Sequence, residues 1–401
     1  MSQPLPSGDA AKHQRISGSH LSILFGSTMA YVGIALPFFP VMLAGKGLSG
    51  EDVSLVIAIS LVSRLLGNPL VTAIADRWSG IARALAVCTV LAAFLTALLV
   101  AANGFWQIAV LVALMSLAQG SLMPLSDAIT MGEIRRRAEA HEPALDYGRI
   151  RVWGSGTVFA VMLIGGSLIE LIPGEGIAIL LAVATLAPVL PAMALARRNI
   201  ASPRETQMRE SAERTIVWAP IVLLILSSGL VQASHAMYYS FSSLHWKAIG
   251  LSTAFTGTAW ALGVLCEIVF FVIAGKVFGG ERNAIVFLFV GALGCIIRWG
   301  AMTSDPAPAV LLGLQSLHAL TFASTHLGSV YLLSRLAGPT FRAQAQGWMA
   351  AAASCGLTVS TIAIGQSYAQ IGEQAYWIMV GMAAAGLCGF IAISRILRTD
   401  R

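Results

Sequence analysis

Hydrophobic residues fall into twelve long apolar runs along the chain, separated by short polar segments. Each run is close to the roughly 20 residues that a helix needs to cross the hydrocarbon core of a bilayer. The short alternating segments typical of membrane β-barrel strands are absent from the sequence, so the runs predict helices. The predicted spans cover residues 20–43, 52–74, 82–102, 105–130, 148–171, 176–196, 216–241, 252–277, 283–303, 307–333, 343–369 and 373–396.

The longest internal polar stretch lies between the sixth and seventh runs and divides the chain into halves of six predicted spans. The two halves share a weak internal repeat, since Gly47-Leu48-Ser49 resembles Gly250-Leu251-Ser252. Six-span repeats are one way in which secondary transporters are built. We therefore predict an all-α membrane protein with twelve transmembrane helices in two six-helix halves. The predicted parts are an N-tail at 1–19, a first half at 20–196, a linker at 197–215, a second half at 216–396 and a C-tail at 397–401.

Composition supports a membrane protein and excludes a soluble one. Hydrophobic residues make up 57% of the 401 residues and charged residues 11%, against roughly 25% charged in soluble proteins. So few charges leave no polar domain that could bind nucleic acid. The net charge of +6 is therefore interpreted as a topology signal.

Lysine and arginine are distributed unevenly between the two sides of the predicted membrane. Nineteen of the 25 fall in the tails or the even-numbered connections, four lie within spans, and only Lys46 and Lys247 fall on the other side. Because positive residues are retained in the cytoplasm, this distribution places both termini there. We expect a multi-pass protein of a bacterial-type cytoplasmic (inner) membrane, functional as a monomer.

Ionisable residues inside the predicted spans indicate function, because burying a charge in a bilayer is costly. Asp127 and Glu267 are the carboxylates well inside spans, and Arg64 shares a helix face with Asn68. In the tenth span a stripe at helical spacing is formed by Gln315, His318, Phe322 and His326. These groups are predicted to form pairs or to line a wet cavity.

The sequence contains none of the common catalytic or metal-binding motifs. No Ser/His/Asp arrangement, zinc-protease motif, phosphate-binding loop or metal-ligand cysteine spacing is present. We therefore expect no enzyme activity, no cofactor and no metal. Because an ATP-binding domain is also missing from the sequence, any uphill transport is predicted to use an ion gradient.

A recognisable pattern is carried by four segments, Leu36–Pro40, Ala75–Gly80, Tyr147–Gly154 and Gly365–Tyr376. Together they resemble the major facilitator superfamily. Within it, the chain is similar to the branch that contains the lactose permease, the nucleoside–proton symporters and the phenylpropionate permeases. Arg298, His318 and Glu267 also match charged positions of that branch in spans eight to ten.

The resemblance implies residue roles, with protons and a small organic solute as the partners. Asp127 and Arg151 correspond to the branch's substrate-binding pair, whereas Glu267, Arg298 and His318 correspond to its proton-coupling cluster. Asp76 and Arg77 correspond to a gating loop. The predicted substrate-binding residues are Tyr31, Phe38, Arg64, Asn68, Asp127, Arg151, Trp153 and Gln315.

Two departures from the lactose permease change the expected substrate and proton carrier. The permease's tenth-span glutamate and lysine correspond here to Thr321 and Gln315, which argues against lactose and shifts proton binding to Glu267. Arg64 or Arg151 is expected to hold a carboxylate. Our first hypothesis is proton symport of a phenylpropionate-like acid by alternating access. A sugar or nucleoside symporter, a drug–proton antiporter and a non-transporting sensor remain open as alternatives.

Overall fold

The computed structural model describes residues 16–74, 80–172, 175–198, 218–277 and 283–399, except for the side chains at 68, 72, 275–277, 339–340, 343 and 399. The described residues form a helical bundle. The first half contains α1 (Gly18–Gly45), α2 (Gly50–Ile74), α3 (Ile81–Ala101), α4 (Phe105–Glu139), α5 (Tyr147–Leu171), α6 (Gly176–Leu186) and α7 (Val189–Ala196). The second half contains α8 (Trp218–Ala233), α9 (Ala236–Ala248), α10 (Thr253–Val277), α11 (Ala284–Met302), α12 (Pro308–Ser316), α13 (Thr325–Ile371) and α14 (Tyr376–Thr399).

Ten stretches of the described residues are long and apolar enough to cross a membrane, so the predicted all-α membrane class is confirmed. The predicted count of twelve stays a prediction. The last of the ten, Gln344–Arg398, covers two predicted spans. The predicted span 307–333 is broken into the nine-residue α12, a π-helical turn at Ala319–Ser324 and the start of α13.

Local sequence accounts for the breaks in the helices. Pro188 separates α6 from α7, and a two-residue turn at Ser234 and His235 separates α8 from α9. Gly338 lies in α13 with φ 67° and ψ 174°, a backbone conformation that glycine tolerates best, so two helices meet there. Bent spans of this kind are common where helices line a binding site.

Each half packs its own helices together. In the first half α1 lies against α5, and α2 and α3 lie against α4; in the second, α8 packs on α13 and α14, and α11 packs on α14. The two halves meet through α5 against α10 and α2 against α13. The predicted linker lies mostly outside the described residues, so the division into two six-helix units stays a prediction.

The halves approach each other closely at the end of the bundle where α2 and α10 begin, which we call the closed end. Gly166 of α5 lies against the backbone of Thr253, and Gly365 of α13 lies against Ser54 of α2. Glu170 Oε1 accepts hydrogen bonds from the Ala254 amide at 3.0 Å and from Thr253 Oγ1 at 3.2 Å. Small residues therefore allow backbone contact between the halves.

Candidate functional site

Arg298 of α11 is fully buried and is surrounded by neutral groups. Its Nη2 donates to Gln315 Oε1 at 2.6 Å, and its Nη1 lies 3.1 Å from His318 Nδ1 and 3.3 Å from Thr321 Oγ1. The guanidinium carbon also lies 4.5 Å from the ring centre of Tyr238 and 4.7 Å from that of Trp299. The positive charge is thus held by polar acceptors and by aromatic faces.

Glu267 of α10 lies on the other side of His318. Its Oε2 is 3.7 Å from His318 Nε2, and its side chain is 24% exposed. An arginine only donates hydrogen bonds, so His318 Nδ1 must accept from Arg298 and the neutral imidazole carries its hydrogen on Nε2. His318 therefore connects the buried arginine to the carboxylate, and the structure brings together the three residues of the predicted coupling cluster.

The π-helical turn Ala319–Ser324 places a row of rings along one face. Phe322 stacks on His318 with ring centres 5.4 Å apart and on His326 with ring centres 6.1 Å apart. The predicted stripe is therefore present for these three rings, whereas Gln315 is fully buried and its amide nitrogen donates to Leu311 O at 3.0 Å. π turns are rare and occur frequently at functional sites.

Asp127 of α4 and Arg151 of α5 are joined through Tyr147. The Tyr147 hydroxyl donates to Asp127 Oδ1 at 2.7 Å and accepts from Arg151 Nη1 at 2.5 Å. The direct distance from Arg151 Nη1 to Asp127 Oδ2 is 3.5 Å, and their side chains are 49% and 31% exposed. The pair predicted from the sequence is thus bridged by a tyrosine rather than joined by a bidentate contact.

A central cavity of about 260 Å³ lies between the two halves. Arg151 lines it from the first half and Glu267 and His318 line it from the second. Trp260 also lines this cavity; its side chain is 4% exposed and its indole Nε1 has no hydrogen-bond partner. The remaining aromatic wall is formed by Tyr238, Tyr239 and Phe322. The cavity thus combines cationic, acidic and aromatic surfaces.

Two further cavities adjoin the central one. A cavity of about 230 Å³ is lined by Tyr31 and Arg64, and one of about 530 Å³ is lined by His326 and Gln346. Tyr239 lines all three cavities, so they meet around one phenol ring. Together we call them the lumen.

Some of the predicted site residues lie away from the lumen. Phe38 is fully buried in the hydrophobic core of the first half, and Trp153 is 61% exposed. The Asn68 side chain and the whole of Asp76 and Arg77 lie outside the described residues. Their predicted roles therefore receive no structural support.

Sequence reasoning missed three residues of the site: Tyr147, which bridges Asp127 and Arg151, and the lumen residues Tyr239 and Trp260. Tyr147 precedes Arg151 by four positions, a spacing that places both side chains on one helix face and could have revealed the bridge. Tyr239 and Trp260 carry no comparable signal, because single aromatic residues in apolar helices usually pack in the core or face lipid.

Comparison with known proteins relates the whole bundle to one family. A model described as the MFS_1 like family matches residues 19–379. A probable 3-phenylpropionic acid transporter of Escherichia coli (strain K12) is 29% identical over 360 residues, which cover 88% of this chain and 91% of that protein. A maltose permease of Geobacillus stearothermophilus is 25% identical over 276 residues, 68% of each chain. The crystal structure of the nucleoside transporter NupG is similar in fold, with a TM-score of 0.74 at 16% identity and coverage of 94% of this chain and 98% of that chain.

Proposed function

Because the chain belongs to the MFS_1-like family, whose structural neighbours are major facilitator transporters, we propose that it is a proton-coupled symporter of a small aromatic carboxylate. The chain is a multi-pass membrane protein of a transporter family. The bacterial inner membrane, cytoplasmic termini and a functional monomer are parts of the proposal.

The observation that carries the proposal is the composition of the central cavity. An anionic aromatic substrate needs a positive group for its carboxylate and flat apolar surfaces for its ring. The lumen offers arginines of the first half and the rings of Tyr238, Trp260 and Phe322 of the second. The 3-phenylpropionic acid named for the relative at 29% identity is a molecule of this kind.

Glu267 is the proposed proton carrier. It is the carboxylate that lines the central cavity, its neighbour there is His318, and His318 in turn lies between it and Arg298. A carboxylate without a direct cationic partner in a low-dielectric site is readily held neutral, and movement of a guanidinium towards it would favour the ionised form. Alternating protonation of Glu267 could thus accompany each transport cycle.

Alternating access requires that the two ends of the lumen open in turn. Contacts of α5 with α10 and α2 with α13 seal the closed end. The 530 Å³ cavity extends along α13 from Leu357 towards Gln346, away from the closed-end residue Gly365. With the predicted orientation, this arrangement corresponds to an inward-facing state.

The direct test is uptake by purified protein in liposomes with an imposed pH gradient, acidic outside. Labelled 3-phenylpropionate should accumulate well above the level in protein-free liposomes, which take up the neutral acid passively, and a protonophore should abolish the accumulation. Maltose and uridine are the comparison substrates, because a maltose permease and a nucleoside transporter are among the similar proteins. Accumulation of either one instead of the acid would replace the proposed substrate. Export of labelled 3-phenylpropionate driven by inward proton movement would indicate an antiporter. Binding of the substrate without any flux would indicate a sensor.

A further inference from the structure

We propose that the substrate carboxylate binds to Arg64, in the 230 Å³ cavity that we call the Arg64 lobe. This inference rests on the proposed function and names the anion subsite within it. The lobe is lined by Tyr31 and Arg64 of the first half and by Tyr239, Ser240 and Thr361 of the second.

Arg64 differs from the other intramembrane arginines in its partners. Arg298 has three polar acceptors and two aromatic faces, and Arg151 has the Tyr147 hydroxyl and Asp127. Among the described residues, no carboxylate lies within ion-pair distance of Arg64, whose polar neighbour is the Tyr31 hydroxyl. Its buried Nε, like that of Arg298, has no hydrogen-bond partner. An uncompensated charge at mid-membrane depth is costly, so binding of an anion there would offset a cost that the protein already bears.

The backbone around Arg64 is fixed by close helix packing. Gly120 of α4 lies so close to the Arg64 backbone that a Cβ added to it would be 2.8 Å from the Arg64 carbonyl oxygen. Gly67 of α2 lies against the backbone of Leu117 in the same way. These contacts hold α2 firmly against α4. The guanidinium carbon lies 5.8 Å from the ring centre of Tyr31, which also orients the side chain. The cation is therefore presented to the lobe from a rigid support, as a preorganised binding group requires.

The rest of the lobe suits a carboxylate attached to an apolar group. Ser60 and Ser116 share a hydrogen bond of 2.9 Å, and Ser240 and Thr361 share one of 3.2 Å. In each pair one hydroxyl donates within the pair, which leaves the other hydrogen free for an additional acceptor. The lobe is also lined by apolar side chains, among them Val32, Leu36, Ile57 and Leu61.

The Arg64 lobe and the central cavity share Leu36 and Tyr239 in their walls. A substrate with its carboxylate at Arg64 can therefore place its ring beside Tyr239 and Trp260. In that position it touches both halves of the protein, which couples binding to their relative movement.

The inference is tested by binding of 3-phenylpropionate and its neutral amide, 3-phenylpropanamide, to purified protein by titration calorimetry. The parent should prefer the acid. Arg64→Gln should bind the acid roughly 10- to 100-fold more weakly, the loss expected for a charge-assisted pair of hydrogen bonds, and should bind the amide unchanged. Arg149→Gln is the matched control, because Arg149 is 89% exposed and pairs with Asp146 outside the lumen. That control should behave like the parent.

The outcomes distinguish failure of the proposed anion subsite from failure of the proposed transport function. If Arg64→Gln keeps the preference for the acid and Arg151→Gln loses it, the Arg64 assignment is wrong and the proposed function stands. If the parent binds no aromatic acid, both are wrong. Should Arg64→Gln fail to fold, Arg64→Lys decides: an ammonium cannot reproduce the planar fork, so weaker binding of the acid supports the subsite and parent-like binding contradicts it.

Discussion

Nη1 of Arg298 lies 3.1 Å from Nδ1 of His318, and this contact determines the tautomer of the histidine. Because the guanidinium has no acceptor, Nδ1 cannot carry a hydrogen while the contact exists. The Nε2 hydrogen therefore points to the side on which Glu267 lies. Protonation of His318 on Nδ1 would break the contact with Arg298, so this geometry favours Glu267 over His318 as the proton-binding group.

Glu267→Gln should abolish gradient-driven accumulation and leave substrate exchange intact. Glutamine has the shape of the protonated acid but cannot release a proton, so the coupled step is lost and binding remains. The measurement is uptake driven by a pH gradient, compared with counterflow of labelled 3-phenylpropionate, in the same vesicles. Accumulation should fall until the substrate concentrations inside and outside are equal. Counterflow should stay within about twofold of the parent, a change that corresponds to less than about 0.5 kcal/mol of binding free energy.

Two other results would contradict this role for Glu267. Loss of both accumulation and counterflow would identify a substrate ligand, and retained accumulation would require another carrier, with Asp127 as the next residue to test. Glu175→Gln is a useful control, since that carboxylate pairs with Lys46 at 2.8 Å outside the lumen and should be tolerated.

Arg298→Lys should lower the thermal stability of the protein. A lysine ammonium cannot reach Gln315, His318 and Thr321 together, so at least one buried acceptor loses its donor. Such a loss costs about 1–3 kcal/mol. Melting of the detergent-solubilised protein, followed by tryptophan fluorescence, measures the change, and Arg149→Lys is the exposed control. An unchanged melting temperature would show that Arg298 does not depend on these contacts.

Gly166→Val should weaken closure at the closed end. The added side chain would meet the backbone of Thr253, and overpacking of this kind costs about 1–3 kcal/mol. That energy shifts an equilibrium roughly 5- to 150-fold, so the end should open more often and transport should fall. The readout is maleimide labelling of a cysteine introduced at Ser54, which is buried against Gly365 at the closed end, in a variant whose five native cysteines are replaced.

Gly156→Val on the same helix is the control for this experiment. No heavy atom lies within 4 Å of a Cβ added at Gly156, so labelling at Ser54 should match the parent. If Gly166→Val also labels like the parent, the close approach of α5 and α10 does not limit opening.

Membrane orientation is tested by reporter fusions at Arg204 and after Arg401. The distribution of lysine and arginine predicts a cytoplasmic signal at both positions. Alkaline phosphatase and a fluorescent protein, which are active on opposite sides of the membrane, give complementary readouts. A periplasmic signal at either position would contradict the predicted topology.

The bundle and the Arg298 cluster could be predicted from sequence for a simple physical reason. Long apolar runs specify membrane helices, and an arginine, a histidine and a carboxylate within such runs require partners. Their placement in apolar runs indicates a functional cluster, and the resemblance to a known family implies the grouping of Arg298, His318 and Glu267. The helix count is less certain from pattern alone, because α12 and the start of α13 belong to one predicted span that a π turn interrupts.

The aromatic part of the lumen could not be predicted in the same way. Tyr239 and Trp260 differ from core residues only in lining a cavity. Whether they line it depends on how the two halves pack against each other. Likewise, Trp153 is an aromatic residue in a segment that resembles the family, yet it is 61% exposed and is not among the described residues that line the central cavity. The helical period shows which residues share a helix face, but it does not show what that face contacts.

The carboxylate of Glu170 contributes to the free energy of opening the closed end. A helix begins with amide groups that lack partners inside it, and in α10 the Ala254 amide is satisfied by Glu170 of the other half, whereas the Phe255 amide is satisfied by the nearby Ser252 hydroxyl at 3.0 Å. When the halves separate, Ser252 can stay in place, but water must take over from Glu170. Opening on this side therefore replaces a protein hydrogen bond at the start of a helix with a hydrogen bond to water. This exchange is small and reversible, which suits a gate that must open and close in every cycle.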